Sequence, residues 1–137
     1  MRMKSETFEY PLMIREFHLD TFGHVNNATY LEIFEEARWE LITKNGYGLK
    51  ECHQRMIGPI ILAVDMQFKK ELKNRERVMV RSHCFDYKGK ICKIQQTLFN
   101  QKEEISCSAL FTFGLFDMKA RKLIDPTPEW LIAISMD

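Results

Sequence analysis

The pattern of apolar and polar residues predicts one long amphipathic helix early in the chain. From residue 28 to about residue 45, apolar side chains recur every three or four positions, which is typical of a helix. Lys44 gives this helix a basic last turn, and Gly46 is a typical residue just beyond a helix end. The apolar face is broad, so we expect it to be covered on more than one side.

Five other stretches alternate apolar and polar residues with period two, which predicts half-buried β-strands. Pro11 cannot donate a hydrogen bond in a β-ladder, so it favours a sheet edge for the first strand. Short turns join the last four strands and favour an antiparallel meander. The predicted strands cover residues 8–17, 58–68, 78–85, 91–99 and 105–116.

The order of these elements is β-α-β-β-β-β. It predicts an α+β fold in which one long helix packs against a five-stranded antiparallel β-sheet. Residues 47–56 show no regular pattern, so we expect an irregular connection there. Residues 129–134, which follow two prolines, predict a short terminal helix.

The length and the charge of the chain limit the number of domains and the kinds of partner that we expect. The 137 residues fit a single domain over residues 1–137. The 20 basic and 19 acidic side chains nearly cancel, which argues against nucleic acid or a membrane surface as a partner. The first ten residues contain no apolar leader segment, and no later run approaches the roughly 18 apolar residues of a membrane span. We therefore expect a cytoplasmic protein.

The four cysteines are Cys52, Cys84, Cys92 and Cys107. They are widely spaced, contain no C-x-x-C pair, and fall mostly in predicted strands. We therefore expect free, mostly buried thiols in a reducing compartment, and neither a disulfide framework nor a structural zinc site.

Residues 17–30 concentrate the side chains that carry chemistry. Asp20, Gly23 and His24 precede a helix for which Asn27 is the predicted N-cap. A helix N-terminus offers backbone N–H groups and the positive end of the helix dipole, which stabilise a developing negative charge. Asp20 beside it would act as a base or nucleophile, as acyl transfer requires. The alternative is structural, because D-x-x-G is also a common turn signature.

The segment 20–38, DTFGHVNNATYLEIFEEAR, resembles the signature of hotdog-fold acyl-CoA thioesterases of the 4-hydroxybenzoyl-CoA thioesterase type. The resemblance implies the hotdog fold, with acyl-CoA as the substrate and hydrolysis of its thioester as the reaction. It also implies that subunits pair with their sheets edge to edge and with the active site at the boundary, so we expect a homodimer or homotetramer.

The resemblance further implies that Asp20 acts as nucleophile or as general base, and the sequence leaves both open. It implies that His24 helps to orient the acid or the substrate. Phe22 departs from related acyl-carrier-protein thioesterases of plants, which carry asparagine two residues after the aspartate, so their three-residue mechanism does not carry over. We take the backbone N–H groups of residues 27–30 as candidates for polarising the thioester carbonyl. The predicted substrate-binding residues are Gly23, Asn26, Asn27 and Tyr30.

Two other functions keep the same fold. The chain could be a hydratase or dehydratase of acyl thioesters, although it lacks the H-x-x-x-x-H-F-P-type loop of those relatives. It could also be a non-catalytic acyl-thioester binding module in which Asp20 only shapes a turn. A metal site of His18, Asp20 and His24 is a weaker possibility, and we expect neither a metal nor a cofactor.

Two groups of charges need separate interpretation. The basic run 69–77 is typical of a solvated turn, and contact with the phosphates of CoA is the second interpretation. The acidic residues of the long helix indicate a solvated or pairing face, with Glu35 and Arg38 as exceptions because they match the family pattern. The acyl group itself cannot be read from the sequence.

Overall fold

The computed structural model describes residues 5–136; the first four residues and the last residue of the predicted domain lie outside this range. The sheet has six antiparallel strands in the order β1-β3-β4-β5-β2, and β6 pairs with β5. The elements are β1 (Thr7–Met13), α1 (Asn27–Lys44), α2 (Leu49–Arg55), β2 (Ile57–Phe68), β3 (Arg77–Lys88), β4 (Ile91–Phe99), β5 (Ile105–Asp117), β6 (Lys122–Ile124) and α3 (Pro128–Ala133).

The predicted α+β hotdog arrangement is confirmed, with one strand more than expected. The predicted meander of the last four long strands is wrong, because only β3, β4 and β5 follow one another, whereas β2 pairs with β5 at the far end of the sheet. A short connection in the sequence does not require that the two strands it joins are neighbours in the sheet. The sixth strand, β6, has only three residues and pairs Ile124 with Leu115 of β5. Three residues are too few to display a period of two, so the sequence pattern gave no signal for this strand. Strand β1 lies at one end of the sheet, as Pro11 indicated.

Two predicted segments were wrong. Residues 47–56 are not irregular, because Leu49–Arg55 form helix α2, which begins where the Gly48 N–H donates to the Glu51 carboxylate at 2.8 Å. Only Cys52 of this helix is buried, so no apolar period marks it. The first strand ends at Met13 instead of residue 17, and Glu16–His18 form a 3-10 turn.

Helix α1 packs through its apolar face onto the sheet. The rings of Phe34 on α1 and Phe111 on β5 meet edge to face with their centroids 6.0 Å apart. At the other end of the helix, the Asn45 side chain donates to the Ala133 carbonyl at 2.9 Å and so joins α1 to the end of α3. The helix is therefore covered by the sheet and by α3, as its broad apolar face predicted. Its buried residues are Tyr30, Ile33, Phe34, Ala37, Leu41 and Ile42.

The two ends of the described chain meet. Ser5 and Met136 form an isolated antiparallel bridge, and the Glu6 N–H donates to the Ser135 carbonyl at 3.2 Å.

All four cysteines are buried free thiols, as predicted. Within residues 5–136, no helix is both long enough and apolar enough to span a membrane.

The N-cap of α1 is Asn26, one residue before the predicted cap. Asn26 has an extended backbone, and its side-chain oxygen accepts from the Ala28 N–H at 3.0 Å, while Asn27 is already the first helical residue. Two adjacent asparagines have the same capping propensity. Only the backbone conformation distinguishes them, and the sequence pattern does not report it.

We expect Asn26→Ala to lower the free energy of unfolding by about 1 kcal/mol, because the Ala28 N–H loses its side-chain acceptor. Asn27→Ala is the matched control, and alanine inside the helix should be neutral or slightly stabilising. Urea unfolding followed by circular dichroism measures both changes. An equal loss of stability in the two variants would contradict the capping assignment.

Candidate active site

The carboxylate of Asp20 organises the loop before α1. Its Oδ1 accepts from the Phe22 N–H at 2.9 Å and from the His24 N–H at 3.1 Å. The Asp20 N–H donates to the His24 carbonyl at 2.9 Å, and Gly23 has a φ of +79°, a conformation that glycine adopts without strain. The turn that the D-x-x-G pattern indicated is therefore present.

This turn uses only one oxygen of the carboxylate. Within the described residues, Oδ2 of Asp20 accepts no hydrogen bond, and the side chain is exposed. Two backbone N–H groups thus fix the orientation of the carboxylate and leave its second oxygen open to a substrate or a water molecule. The structural and the chemical interpretations of Asp20 are compatible.

Most backbone amides at the start of α1 already have acceptors. The Ala28 N–H donates to the Asn26 side chain, and the amides of Thr29 and Tyr30 donate to the Asn26 carbonyl at 3.0 and 3.3 Å. Asn27 is the exception, since its N–H has no partner among the described residues. Of the four amides considered from the sequence, only this one is free to polarise a carbonyl in the present geometry.

A groove of about 320 Å³ lies beside the helix start. It contains three of the six predicted site residues, His24, Asn27 and Tyr30, while the side chain of Asn26 is engaged in capping. The ring of His24 is more than half exposed, and its Nε2 lies 3.5 Å from a carboxylate oxygen of Glu71. The groove lining is His24, Val25, Asn27, Tyr30, Phe68, Lys69, Lys70, Glu71 and Leu72.

Tyr30 forms the inner wall of this groove. Only 6 % of its surface is exposed, and its ring meets Phe68 of β2 edge to face at 5.4 Å. Burial raises the pKa of its hydroxyl, so the side chain stays neutral and acts as an apolar wall more than as an acid. Phe68 was not predicted as a site residue, because a strand-end phenylalanine looks like any core residue in the sequence.

A second cavity, of about 110 Å³, lies between α1, β2 and α3. Most of its wall is apolar, including Trp39, Ile61 and Trp130, but Arg38 also lines it. The Arg38 guanidinium lies over the ring of Phe111, 4.4 Å from the centroid, and donates to the Gln96 side-chain oxygen at 2.9 Å. The expectation that Arg38 departs from the solvated face of the helix is confirmed. The same expectation for Glu35 is wrong, because its side chain is exposed.

Comparison with known proteins decides the family. The model of the thioesterase-like superfamily matches residues 16–134, which include the loop, the helix and the whole sheet except β1. The chain belongs to the thioesterase-like superfamily. This membership confirms the resemblance seen in residues 20–38 and the prediction of a thioester hydrolase.

Individual relatives agree with this assignment. The chain is 28 % identical over 115 residues to the long-chain acyl-CoA thioesterase FadM of Escherichia coli, covering 82 % of this chain and 86 % of that protein. The E. coli probable thioesterase YbaW has a similar fold, with a TM-score of 0.80 at 24 % identity over 93 % of this chain and 98 % of that one. The Staphylococcus aureus protein SAV2348, solved in complex with CoA, also has a similar fold. Its TM-score is 0.86 at 17 % identity, over 95 % of this chain and 82 % of that one.

Two of the five basic side chains in the run 69–77 of this thioesterase-like chain form ion pairs. Arg75 donates to Glu16 through Nε at 2.8 Å and through Nη2 at 2.6 Å, and Lys70 forms an ion pair with Glu104. These contacts agree with the interpretation as a solvated turn. Lys69 differs, because it lines the groove and has no ion-pair partner among the described residues.

The three residues considered as a metal site do not come together. His18 is buried, and its Nδ1 accepts from the Arg15 N–H at 2.9 Å, whereas His24 is exposed beside Glu71. Within residues 5–136, no group of three His, Cys, Asp or Glu side chains is arranged to hold a metal ion. His18 instead anchors the chain just before the Asp20 loop.

Burial lowers the pKa of His18, although the nearby Glu36 carboxylate opposes this shift. The folded protein therefore favours neutral His18. Its contribution to stability is fully present above the unfolded-state pKa of about 6.5 and is lost as the pH falls through the lower folded-state pKa.

We expect the free energy of unfolding to fall more steeply between about pH 7 and pH 5 in the wild type than in His18→Asn. The asparagine keeps an oxygen for the Arg15 N–H but cannot be protonated. His53→Asn, at an exposed helix position, is the control and should keep the wild-type slope. Denaturant unfolding across this pH range measures the slopes, and identical slopes in all three proteins would contradict the role given to His18.

Proposed function

We propose that the protein hydrolyses acyl-CoA thioesters, with Asp20 as general base or nucleophile at the N-terminus of α1. The observation that carries the proposal is the Asp20 carboxylate itself. One oxygen is held by the N–H groups of Phe22 and His24, and the other accepts no hydrogen bond from a described residue. A positioned carboxylate with one open oxygen is what attack on a thioester, or activation of a water molecule, requires.

Two routes use this arrangement. As a base, Asp20 takes a proton from water while the water oxygen bonds to the thioester carbonyl carbon. The C–S bond then breaks, and the proton passes to the departing thiolate. As a nucleophile, the carboxylate oxygen bonds to the carbonyl carbon and CoA thiolate leaves, so that a mixed anhydride remains for water to hydrolyse.

In both routes the carbonyl oxygen becomes negatively charged in the transition state. The Asn27 N–H is the helix-start amide that has no partner in residues 5–136, so we assign it to this oxygen, supported by the positive end of the helix dipole. The predicted roles of His24, Gly23, Asn26 and Tyr30 remain proposals. The contact of His24 with Glu71 supports a histidine that orients the substrate more than one that pairs with Asp20.

CoA is the carrier that we propose, and a long acyl chain is the acyl group. FadM, which covers most of this chain, is named for long-chain acyl-CoA. Lys69 on the groove wall supports a phosphate-bearing carrier, because its ammonium group has no carboxylate partner within the described residues.

The exposed strand β2 supports the predicted oligomer. It lies at the end of the sheet opposite β1, and its outer edge pairs with no strand of residues 5–136. An exposed apolar edge strand is a template for pairing with another chain. We propose that a second copy pairs along β2 and covers the groove. The exposed apolar side chains of this strand are Ile60, Ile61, Leu62, Val64 and Phe68.

We expect Asp20→Asn to lower kcat by about 10²–10⁴ while the protein stays folded, because the amide keeps an oxygen for the two backbone N–H groups but cannot attack or accept a proton. Asp117→Asn is the matched control. Asp117 also accepts two backbone N–H groups in a turn, from Lys119 at 2.9 Å and Ala120 at 3.0 Å, but lies at the end of β5.

The measurement is release of free thiol from a panel of acyl-CoAs, with thermal melting of each protein. Hydration of an unsaturated acyl-CoA without thiol release would favour a hydratase, and binding without any chemistry would favour a binding module. If Asp20→Asn keeps kcat within about threefold of the wild type, as expected for Asp117→Asn, Asp20 is structural and this mechanism is wrong.

We expect the wild type to be a dimer or tetramer in light scattering, and Val64→Lys to dissociate it with loss of turnover, because the added charge faces the proposed interface. Ile91→Lys is the control, since Ile91 has the same exposure of 44 % but begins β4. A fully active wild-type monomer would exclude a shared site.

A further inference from the structure

Arg38 is an unusual residue for the interior of a small domain. Its guanidinium lies over Phe111, a residue of which 1 % is exposed, and donates to Gln96, which is fully buried. The amide nitrogen of Gln96 donates to the Phe34 carbonyl and to the Ser82 hydroxyl, both at 3.0 Å. These two bonds leave only the Gln96 oxygen for Arg38. The guanidinium is therefore held by the hydrogen bond to Gln96 and by the ring of Phe111.

Within residues 5–136, the Glu35 carboxylate favours the charge of this guanidinium but forms no ion pair with it. No ion pair is formed by Arg38 there, and Glu35, the acid that lines the same cavity, is exposed. Burial lowers the pKa of Arg38 to about 10. A buried charge without a counter-ion is costly, and such charges are normally paired.

The other N–H groups of Arg38 have no protein acceptor among the described residues. None of these nitrogens belongs to the fully buried, unpartnered atoms, which are the Tyr87 hydroxyl and the Trp130 indole nitrogen. The guanidinium therefore keeps donors that a ligand can reach. It lines the 110 Å³ cavity, whose remaining wall is mostly apolar. Glu35 is the other charged residue of the lining, and it is exposed. A guanidinium in such a mostly apolar cavity is suited to an apolar ligand that ends in an anion.

The cavity and the proposed catalytic groove share no lining residue, but both are lined by residues of α1 and β2. Strand β2 runs back along α1, so that its end residue Phe68 contacts Tyr30 near the helix start and Ile61 lines the cavity farther along. Between these two points lie Leu31 on α1 and Val64 on β2, both apolar and exposed. An acyl chain bound at the helix start would follow this apolar path.

The length of the path sets the length of the chain. Arg38 follows Asn27 by 11 residues in α1, which corresponds to roughly 16 Å along the helix axis. An extended acyl chain advances about 1.3 Å per carbon, so about 12 carbons reach from the helix start to the level of Arg38.

We infer that the cavity receives the far end of the acyl chain and that Arg38 binds a carboxylate there. The substrate class is then the mono-CoA thioester of a long-chain α,ω-dicarboxylic acid. This inference rests on the proposed thioesterase function and specifies its acyl group. The guanidinium fork matches a carboxylate in a bidentate geometry, and the guanidinium is already partly desolvated and held by Gln96 before the ligand arrives, which lowers the cost of binding.

The test compares dodecanoyl-CoA with the mono-CoA thioester of dodecanedioic acid, two substrates that differ only at the far end. We expect the wild type to hydrolyse the dicarboxylic thioester with a kcat/KM at least equal to that of dodecanoyl-CoA. Arg38→Met should lower the value for the dicarboxylic thioester about 10- to 100-fold and leave that for dodecanoyl-CoA within about threefold. Arg38→Lys keeps a charge without the planar fork, so its kcat/KM for the dicarboxylic thioester should lie between those of the wild type and of Arg38→Met.

Arg81→Met is the matched control. Arg81 also lies over an aromatic ring, 4.8 Å from the centroid of Phe99, and donates to the Glu9 carboxylate at 2.8 Å, but it is exposed on β3. Arg81→Met should leave the ratio of the kcat/KM values for the two substrates unchanged. Free dodecanedioate should raise the melting temperature of the wild type and of Arg81→Met, but not that of Arg38→Met.

The outcomes separate the inference from the proposed function. If dodecanoyl-CoA is hydrolysed but its dicarboxylic counterpart is at least about tenfold poorer, the inference is wrong and the proposed function stands. An equal loss on both substrates in Arg38→Met would mean that Arg38 holds the fold and binds no carboxylate. If neither thioester is hydrolysed, the proposed function fails. The change in melting temperature with dodecanedioate then shows by itself whether Arg38 binds a carboxylate in the cavity. If Arg38→Met does not fold, the inference is judged from the wild type alone, by the ratio of its kcat/KM values for the dicarboxylic thioester and for dodecanoyl-CoA.

Discussion

The packing of α1 on the sheet is the constraint on which the rest of the structure depends. The edge-to-face contact of Phe34 with Phe111 and the bond from Gln96 to the Phe34 carbonyl fix the helix against the two central strands. Because the helix is fixed, its first amides, the cap at Asn26 and the loop of Asp20 are held together at the helix start, beside the groove. A site built from backbone amides needs such rigidity, since an amide cannot rotate to meet its ligand as a side chain can.

The sequence predicted the fold well where burial is periodic. Helix α1 and the four long strands after it lie within a few residues of their predicted bounds, because each buries one face at regular spacing. The order of the strands in the sheet was not predictable in this way, because β2 pairs with β5 and not with β3, the next strand along the chain. Prediction failed where regular structure is held by other means. Helix α2 starts at a Gly48–Glu51 hydrogen bond, and β6 exists because it pairs with the end of β5.

The candidate site was predictable in part for the same reason. Asp20 and His24 were found from a local motif, whereas Phe68 comes from a strand 40 residues after the helix start, and only the fold brings it to Tyr30. The free amide of Asn27 was not predictable either, because it follows from which of two asparagines caps the helix. Arg38 could be noticed in the family pattern, but its contacts with Gln96 and Phe111 in the interior could not, since an arginine on an acidic helix normally faces solvent.

The bridge between Ser5 and Met136 affects how the chain reaches this structure. It closes a loop of nearly the whole described chain, and β1 pairs with β3 across about 70 residues, so much of the edge of the sheet is made of contacts distant in sequence. Contacts of this kind form late, because the entropy of closing the loop is lost before they contribute stability. During synthesis on the ribosome, the first strand would therefore wait without its partner until β3 has emerged, and the bridge from Ser5 to Met136 would form later still.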